Sequence, residues 1–174
     1  MKRSHPSNKL GPRSFLPEIS HSLPMTLLRA REAVMRHFRA QLRHYGLTEQ
    51  QWRVLRALVE IDAVEVTELA RLTFLHGPSL SRILPDLEER KLISRRTADE
   101  DLRRGIISVT RKGEAMIDVI APHSAAIYAE ITTRCGKKEL AEIERLLAKL
   151  EASLSVGPPI CEMRNYVKRK RSRP

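Results

Sequence analysis

Apolar and polar positions alternate along this chain in a way that reads as six helices interrupted by two short strand-like runs. Pro24 takes the first-turn position of a helix that runs to Tyr45 and is closed by Gly46. On a wheel of about 100° per residue, Leu27, Val34, Phe38, Leu42 and Tyr45 of that helix share one narrow arc. Arg31 falls inside the same arc, while Arg29, Arg36 and Arg43 lie opposite. The next stretch, LTEQQWRVLRALVE, opens with a capping box, Thr48 with Gln51, and a hydrophobic staple, Leu47 with Trp52. Trp52, Leu55 and Leu58 or Val59 then recur at helical spacing.

Past the short AVEV stretch, Thr67 is placed to cap a brief helix, ELARLTFL. The dipeptide His76-Gly77 turns the chain into a further helix, PSLSRILPDLEERKL, with Pro78 near its first position. LISRRT and IISVT follow as two strands flanking an acid-rich tip at Asp99–Asp101. A long helix from Lys112 to Arg134 contains Pro122, which predicts a kink. Residues 137–154 form a last amphipathic helix with Leu140, Ile143, Leu147 and Leu150 on one side.

Two short helices joined by a glycine-containing turn, then a hairpin, are the order of a winged helix-turn-helix, with the hairpin as wing. The fold class is therefore mainly α with a small β-hairpin wing, joined to a helical dimerisation region. Three helices and a hairpin already complete a winged helix, so the first helix and the last two keep apolar faces in need of cover. A second copy of the chain, in two-fold symmetry, is the economical cover; packing of these helices on each other within a monomer is the alternative. The division that follows is a basic tail at 1–23, dimerisation helices at 24–46 and 112–154, a DNA-binding lobe at 47–111, and a second basic tail at 155–174. Both tails are expected to be disordered.

Composition narrows the functional classes. The 174 residues carry a formal charge of +11, of which residues 1–23 contribute +3 and residues 156–174 contribute +5. Basic tails attract polyanions without sequence preference, so the folded part must identify the partner. Aromatic residues make up only 4% of the chain, so the core must be aliphatic. No apolar run reaches the roughly 20 residues of a membrane span, and the N-terminus lacks the apolar region of a secretory signal. Cys135 and Cys161 form neither a CxxC pair nor a metal spacing, which fits a reducing cytoplasm. The six histidines show no metal-ligand spacing, and neither a phosphate loop nor a nucleophile motif is present. An enzyme is not expected, and neither is a cofactor or a metal.

Double-stranded DNA is the partner that the central residues suit. A helix entering the major groove by its N-terminus needs small hydrogen-bonding side chains and a long cation in its first turns. Ser79, Ser81 and Arg82 meet that need; the plainer reading has Ser79 as an N-cap and Arg82 as a solvated surface residue. At the wing, Arg103 and Arg104 suit the narrow minor groove, whose negative potential favours arginine. Asp101 is placed to brace one of them by a charge-assisted hydrogen bond. A solvated loop of mixed charge is the plainer alternative.

Leu47-Thr48 with Trp52 and Leu55, Ser79-x-Ser81-Arg82, Leu87 with Leu92-Ile93, and above all DLRRGIISVTRKG at Asp101–Gly113 resemble the MarR family of bacterial transcription regulators. The resemblance covers residues 24–154. Within the family, AREAVMRHFRAQL and GLTEQQWRVLRAL look most like the regulators of homoprotocatechuate (4-hydroxyphenylacetate) degradation operons. Two positions depart from the pattern. Pro85 falls inside the recognition helix, and Lys91 stands where the family has a helix-ending glycine.

The resemblance implies a homodimeric repressor on a pseudo-palindromic operator, regulated by small aromatic acids bound between the dimer helices and the DNA-binding lobe. Arg31, a cation within an apolar stripe, needs a counter-charge. Either the carboxylate of a ligand or an internal glutamate supplies it, unless the side chain snorkels out. His37, Trp52 and Arg53 are its expected neighbours at a ligand site, with Trp52 alone otherwise a core residue. Two other regulators compete with this reading: a redox sensor using a cysteine, and an architectural DNA binder without an effector, driven by its tails.

Overall fold

The computed structural model describes residues 22–98 and 101–156, with residues 97, 98 and 101–104 described by their backbone. The elements run α1 (Leu23–His44), α2 (Glu49–Ile61), β1 (Ala63–Glu65), α3 (Val66–Thr73), α4 (Gly77–Glu89), β2 (Ile93–Ala98), β3 (Asp101–Val109), α5 (Arg111–Cys135) and α6 (Lys137–Ser155). Both expected basic tails lie almost wholly outside the described residues, as does Cys161.

Local chemistry explains the helix starts. The Thr48 side chain accepts from Gln51 N while the Gln51 side chain accepts from Thr48 N, so the capping box forms as expected. Gln51 also donates to Asp86 on α4, which ties the start of α2 to the middle of the helix that follows the turn. Thr67 does not cap α3: the helix begins one residue earlier, at Val66, with Glu65 in the extended cap position. The buried stripe of α2 is Gln51, Val54, Leu55 and Leu58. It keeps the expected Leu55 and Leu58, adds Gln51 and Val54, and leaves Trp52 half-buried and Val59 exposed.

The wing is one strand larger than a hairpin. β1 pairs antiparallel with β3 through Val64↔Ile107, giving the order β1-β3-β2. β2 and β3 keep regular register from Ile93↔Val109 to Thr97↔Gly105, then jump to Ala98↔Asp101. Residues 102–104 are the surplus on the β3 side. Beneath the sheet, Leu55, Leu58, Leu69, Leu80, Leu87, Leu92 and Ile107 are fully buried, an aliphatic core as the scarce aromatics required. Each such leucine contributes roughly 1.5–3 kcal/mol by leaving water.

Three helices end in the same way. α1, α3 and α4 each close with paired six-to-one and five-to-two backbone hydrogen bonds, for example Leu92 N to Leu87 O and Lys91 N to Glu88 O. The left-handed residues that make these turns are Gly46 (φ 65°), Phe74 (φ 51°) and Lys91 (φ 58°). Lys91 thus adopts the glycine-type conformation itself, at a cost of about 1–2 kcal/mol for an L-residue. Lys91→Gly is expected to raise stability by about 0.5–1 kcal/mol, the strain relieved less the extra freedom of unfolded glycine. Thermal denaturation would read this as a rise of roughly 2 °C; an unchanged or lower midpoint would contradict it.

The segment Thr110–Gly113 fastens the start of α5 to the end of α4. Thr110 Oγ1 donates to Lys91 O at 2.7 Å and accepts from Gly113 N at 3.1 Å. Thr110 N donates to Leu92 O at 3.1 Å, and Lys112 Nζ to Arg90 O at 2.9 Å. Gly113 is required by contact rather than by dihedral angle. A Cβ there would overlap the Leu92 carbonyl oxygen and lie 2.7 Å from Val109 Cγ2.

The chain divides into two compact units, residues 1–128 and 129–174. In the first, α1 meets the front of α5: Gln41 Nε2 donates to Ile120 O at 3.1 Å, and the Phe38 and Tyr128 rings stand 5.0 Å apart. α5 runs unbroken through Pro122. Leu23, Leu27, Leu28 and Val34 on the early part of α1 are exposed. In the second unit α6 has no buried residue, and Ile143, Leu146, Leu147 and Leu154 stand open.

Candidate functional site

α4 divides cleanly into two faces. Leu80, Leu84 and Leu87 are buried, and Ser81, Arg82 and Pro85 are exposed. Ser79 is half-buried in the first turn and is not the cap; that position belongs to His76. Ser81 Oγ donates to Gly77 O at 3.1 Å, so its lone pairs point outward. The helix continues through Pro85 from Gly77 to Glu89, which leaves Arg82 on an intact helical surface. Proline supplies no amide donor to the Ser81 carbonyl, so this exposed face also carries a backbone acceptor released from the helix ladder.

In the wing, the backbone of Arg103 and Arg104 lies in β3, within the surplus opposite the register jump, next to the tip rather than on it. Their side chains and that of Asp101 lie outside the described residues, so the expected brace is not part of the described structure. Two further cations were not singled out from the sequence. Arg95 and Arg96 on β2 are both exposed, and the Arg95 guanidinium crosses Gly105, whose added Cβ would lie 3.0 Å from Arg95 Nε. The alternation of the strand hid them, because both flanks of a two-faced wing are solvated.

A cavity of about 550 Å³ opens between α1, α2, the α3–α4 corner and α5. Arg31, Trp52 and Arg53 line it as expected; His37 does not. Phe38, Phe74 and Tyr128 also line it, together with Glu49 and Arg56. The chain has one Trp, three Tyr and three Phe, and four of these seven rings meet at this one cavity. In a protein so poor in aromatics, that concentration is a property of the site and not of composition.

The cations are paired, and the counter-charge to Arg31 is internal. Glu49, whose side chain is only 10% exposed, takes ion pairs from Arg31, Arg39 and Arg53. Arg39 Nη1 and Arg31 Nη1 reach Glu32 at 2.6 and 2.9 Å. The hydrogen bond from Arg39, which outweighs desolvation, holds the Glu32 carboxyl below its ordinary range. Arg56 pairs with Glu60 at 2.9 Å. Four guanidiniums therefore face three carboxylates, and the cluster keeps one positive charge. Glu49, Trp52, Arg53 and Arg56 share one face of α2 at spacings of three and four, a stripe that a wheel of that helix exposes. Phe74 and Tyr128 arrive from distant elements and have no such local signal.

Among the described residues no cluster of three or more His, Cys, Asp or Glu could hold a metal ion, and no helix is long and apolar enough to cross a membrane. Cys135 is exposed.

Comparison with known proteins places this geometry in a family. A sequence model described as the MarR family matches residues 45–104. The homoprotocatechuate degradative operon repressor of Escherichia coli is 33% identical over 131 residues, 75% of this chain and 88% of that protein. The structure of NadR in complex with 4-hydroxyphenylacetate is similar with a TM-score of 0.70 at 30% identity, over 77% of this chain and 98% of that one. The transcriptional repressor CouR bound to a 23-mer DNA duplex is similar with a TM-score of 0.70 at 27% identity, over 76% and 94% of the two chains. On these matches, which its helix-turn-helix and wing accompany, the chain belongs to the MarR family.

Proposed function

We propose that this protein is a homodimeric transcription regulator, a repressor, that binds a pseudo-palindromic operator in duplex DNA and is released by a small aromatic carboxylic acid. Residues 47–111 form the DNA-binding lobe, and residues 24–46 and 112–154 the dimerisation region. The two basic tails, 1–23 and 155–174, add attraction without sequence preference. The protein acts in the cytoplasm, on the nucleoid. Ser79, Ser81 and Arg82 read the major groove, and Arg103 and Arg104 the minor groove, with Asp101 bracing the wing. The continuous, outward-facing α4 surface supports the first assignment. The open apolar faces of α1 and α6 support a second copy of the chain as partner.

The effector class rests on one observation: four of seven aromatic rings and three guanidiniums share a single cavity. An aromatic acid would stack on the rings and present its carboxylate to Arg31 and Arg53, whose present partner is Glu49. Glu49 stays in the wall and keeps Arg39, so the incoming carboxylate shares the N–H groups of Arg31 and Arg53 with it, and the surplus positive charge favours the added anion. Ligand then favours the dimer shape whose two α4 helices no longer match successive major grooves, roughly 34–36 Å apart.

The test is direct. Selection from random duplexes is expected to return an inverted repeat with half-sites about one helical turn apart. 4-Hydroxyphenylacetate or benzoate at about a hundred times Kd should stabilise the protein by about 2.7 kcal/mol, and Arg31→Ala should remove that stabilisation. Enrichment of no sequence, with affinity that collapses when the tails are cut, would replace this reading with an architectural DNA binder.

A further inference from the structure

Phe74 occupies a position that folding alone does not explain. Its backbone is left-handed, at φ 51° and ψ 37°, where glycine or asparagine is the low-energy choice. The residue is 80% exposed, so it returns little buried area for that strain. Yet the ring lines the cavity.

The residue before it is held from the same cavity. Arg53 Nη1 donates to Thr73 O at 2.9 Å while Arg53 Nη2 donates to Glu49 Oε1 at 2.9 Å. One guanidinium thus joins the carboxylate of the cavity wall to the last carbonyl of α3. Thr73 is fully buried and its hydroxyl donates to Leu69 O, so the carbonyl cannot drift alone. Beyond Phe74, His76 caps α4 and Gly77 begins it. The rim of the cavity and the start of the DNA-facing helix are therefore separated by two residues.

Resting on the aromatic-acid reading above, we infer that the Thr73–Phe74 corner passes occupancy of the cavity to α4, with Phe74 as the coupling residue and Arg53 as the positioning residue behind it. A ring seated among Phe38, Trp52 and Tyr128 finds Phe74 as its one wall residue with a left-handed backbone and an exposed ring, and gains area by drawing it inward. A carboxylate at Arg53 competes with Glu49 and the Thr73 carbonyl for the same N–H groups. Both effects act on the two-residue link to α4. The ligand has differential contact with two positions of that link, which is what a population shift requires.

The experiment separates binding from coupling. Trp52 is the only tryptophan of the chain and lines the cavity, so its fluorescence reports ligand directly. The full-length protein, Phe74→Gly and Arg53→Lys are each titrated with 4-hydroxyphenylacetate by Trp52 fluorescence. Operator Kd is then measured with and without saturating ligand. The unsubstituted protein should show a ratio of the two operator Kd values of about tenfold or more. Phe74→Gly should weaken ligand binding by less than about tenfold and bring the ratio at saturation to within about twofold of one, with a melting temperature equal or higher because glycine relieves the strain. Arg53→Lys, which keeps the charge but not the fork, should lower the ratio in the same direction. A Phe74→Gly protein that binds ligand and still releases operator like the unsubstituted protein would overturn the inference alone. No Trp52 response of the unsubstituted protein to aromatic acids would remove the effector reading, and this inference with it.

Discussion

Replacing Arg103 and Arg104 together with alanine is expected to weaken operator binding by about a thousandfold at 0.15 M salt. A groove-inserted or phosphate-bound cation contributes about 1–3 kcal/mol, and the four that the two wings of a dimer present give that factor at the lower end of the range. The expectation follows from where the backbone puts them. Both sit in the surplus of β3 opposite the register jump, where the strand bows away from its partner instead of continuing the ladder. Arg95 and Arg96 on β2 remain in the double variant and keep part of the electrostatic attraction. The loss should therefore be accompanied by a salt slope shallower by about four, two for each wing of the dimer. Fluorescence anisotropy at four or five salt concentrations measures both. Unchanged affinity would show that the wing does not touch the duplex.

The second large effect concerns stability. Gly113→Ala is expected to cost about 2–3 kcal/mol, at the upper end for overpacking a close contact, because the added methyl meets the Leu92 backbone carbonyl and not a side chain that could turn aside. It would also pull Gly113 N from Thr110 Oγ1 and loosen the hydroxyl's hold on Lys91 O. Thermal denaturation should show a midpoint lower by roughly 5–10 °C. If the variant melts like the unsubstituted protein, α5 can shift without penalty and the fastening is not rigid.

What the sequence disclosed was what short-range chemistry decides. The Thr48–Gln51 capping box and Pro78 at the head of α4 depend on residues within one turn, and both stand as read. Thr67 was misread because two polar residues compete for one cap, and pairing of β1 with β3 fixes Glu65 as extended up to the helix start. β1 itself was missed: three residues have no periodicity of their own, and only a partner some forty positions away makes them a strand. Pro85 and Lys91 looked like obstacles, yet the helix passes through one and the other simply bears its left-handed angle. At the cavity, Arg31 was legible from the wheel of α1, while Glu49, its counter-charge, sat at a helix start where an acid is unremarkable. His37, expected beside Arg31, does not line the cavity; Phe74 and Tyr128 came from elements that no local pattern joins.

The fastening of Thr110 and Lys112 to the carbonyls of Arg90, Lys91 and Leu92, just past α4, has a consequence for DNA held as proposed by α4 and the wing. The wing leaves from that joint and returns to it, so flap and reading rod behave like the fused jaws of a caliper. Such a gauge measures pitch. One base pair inserted between the two contacts of a half-site turns the second by roughly 35° about the duplex axis, and a caliper without a hinge cannot follow it.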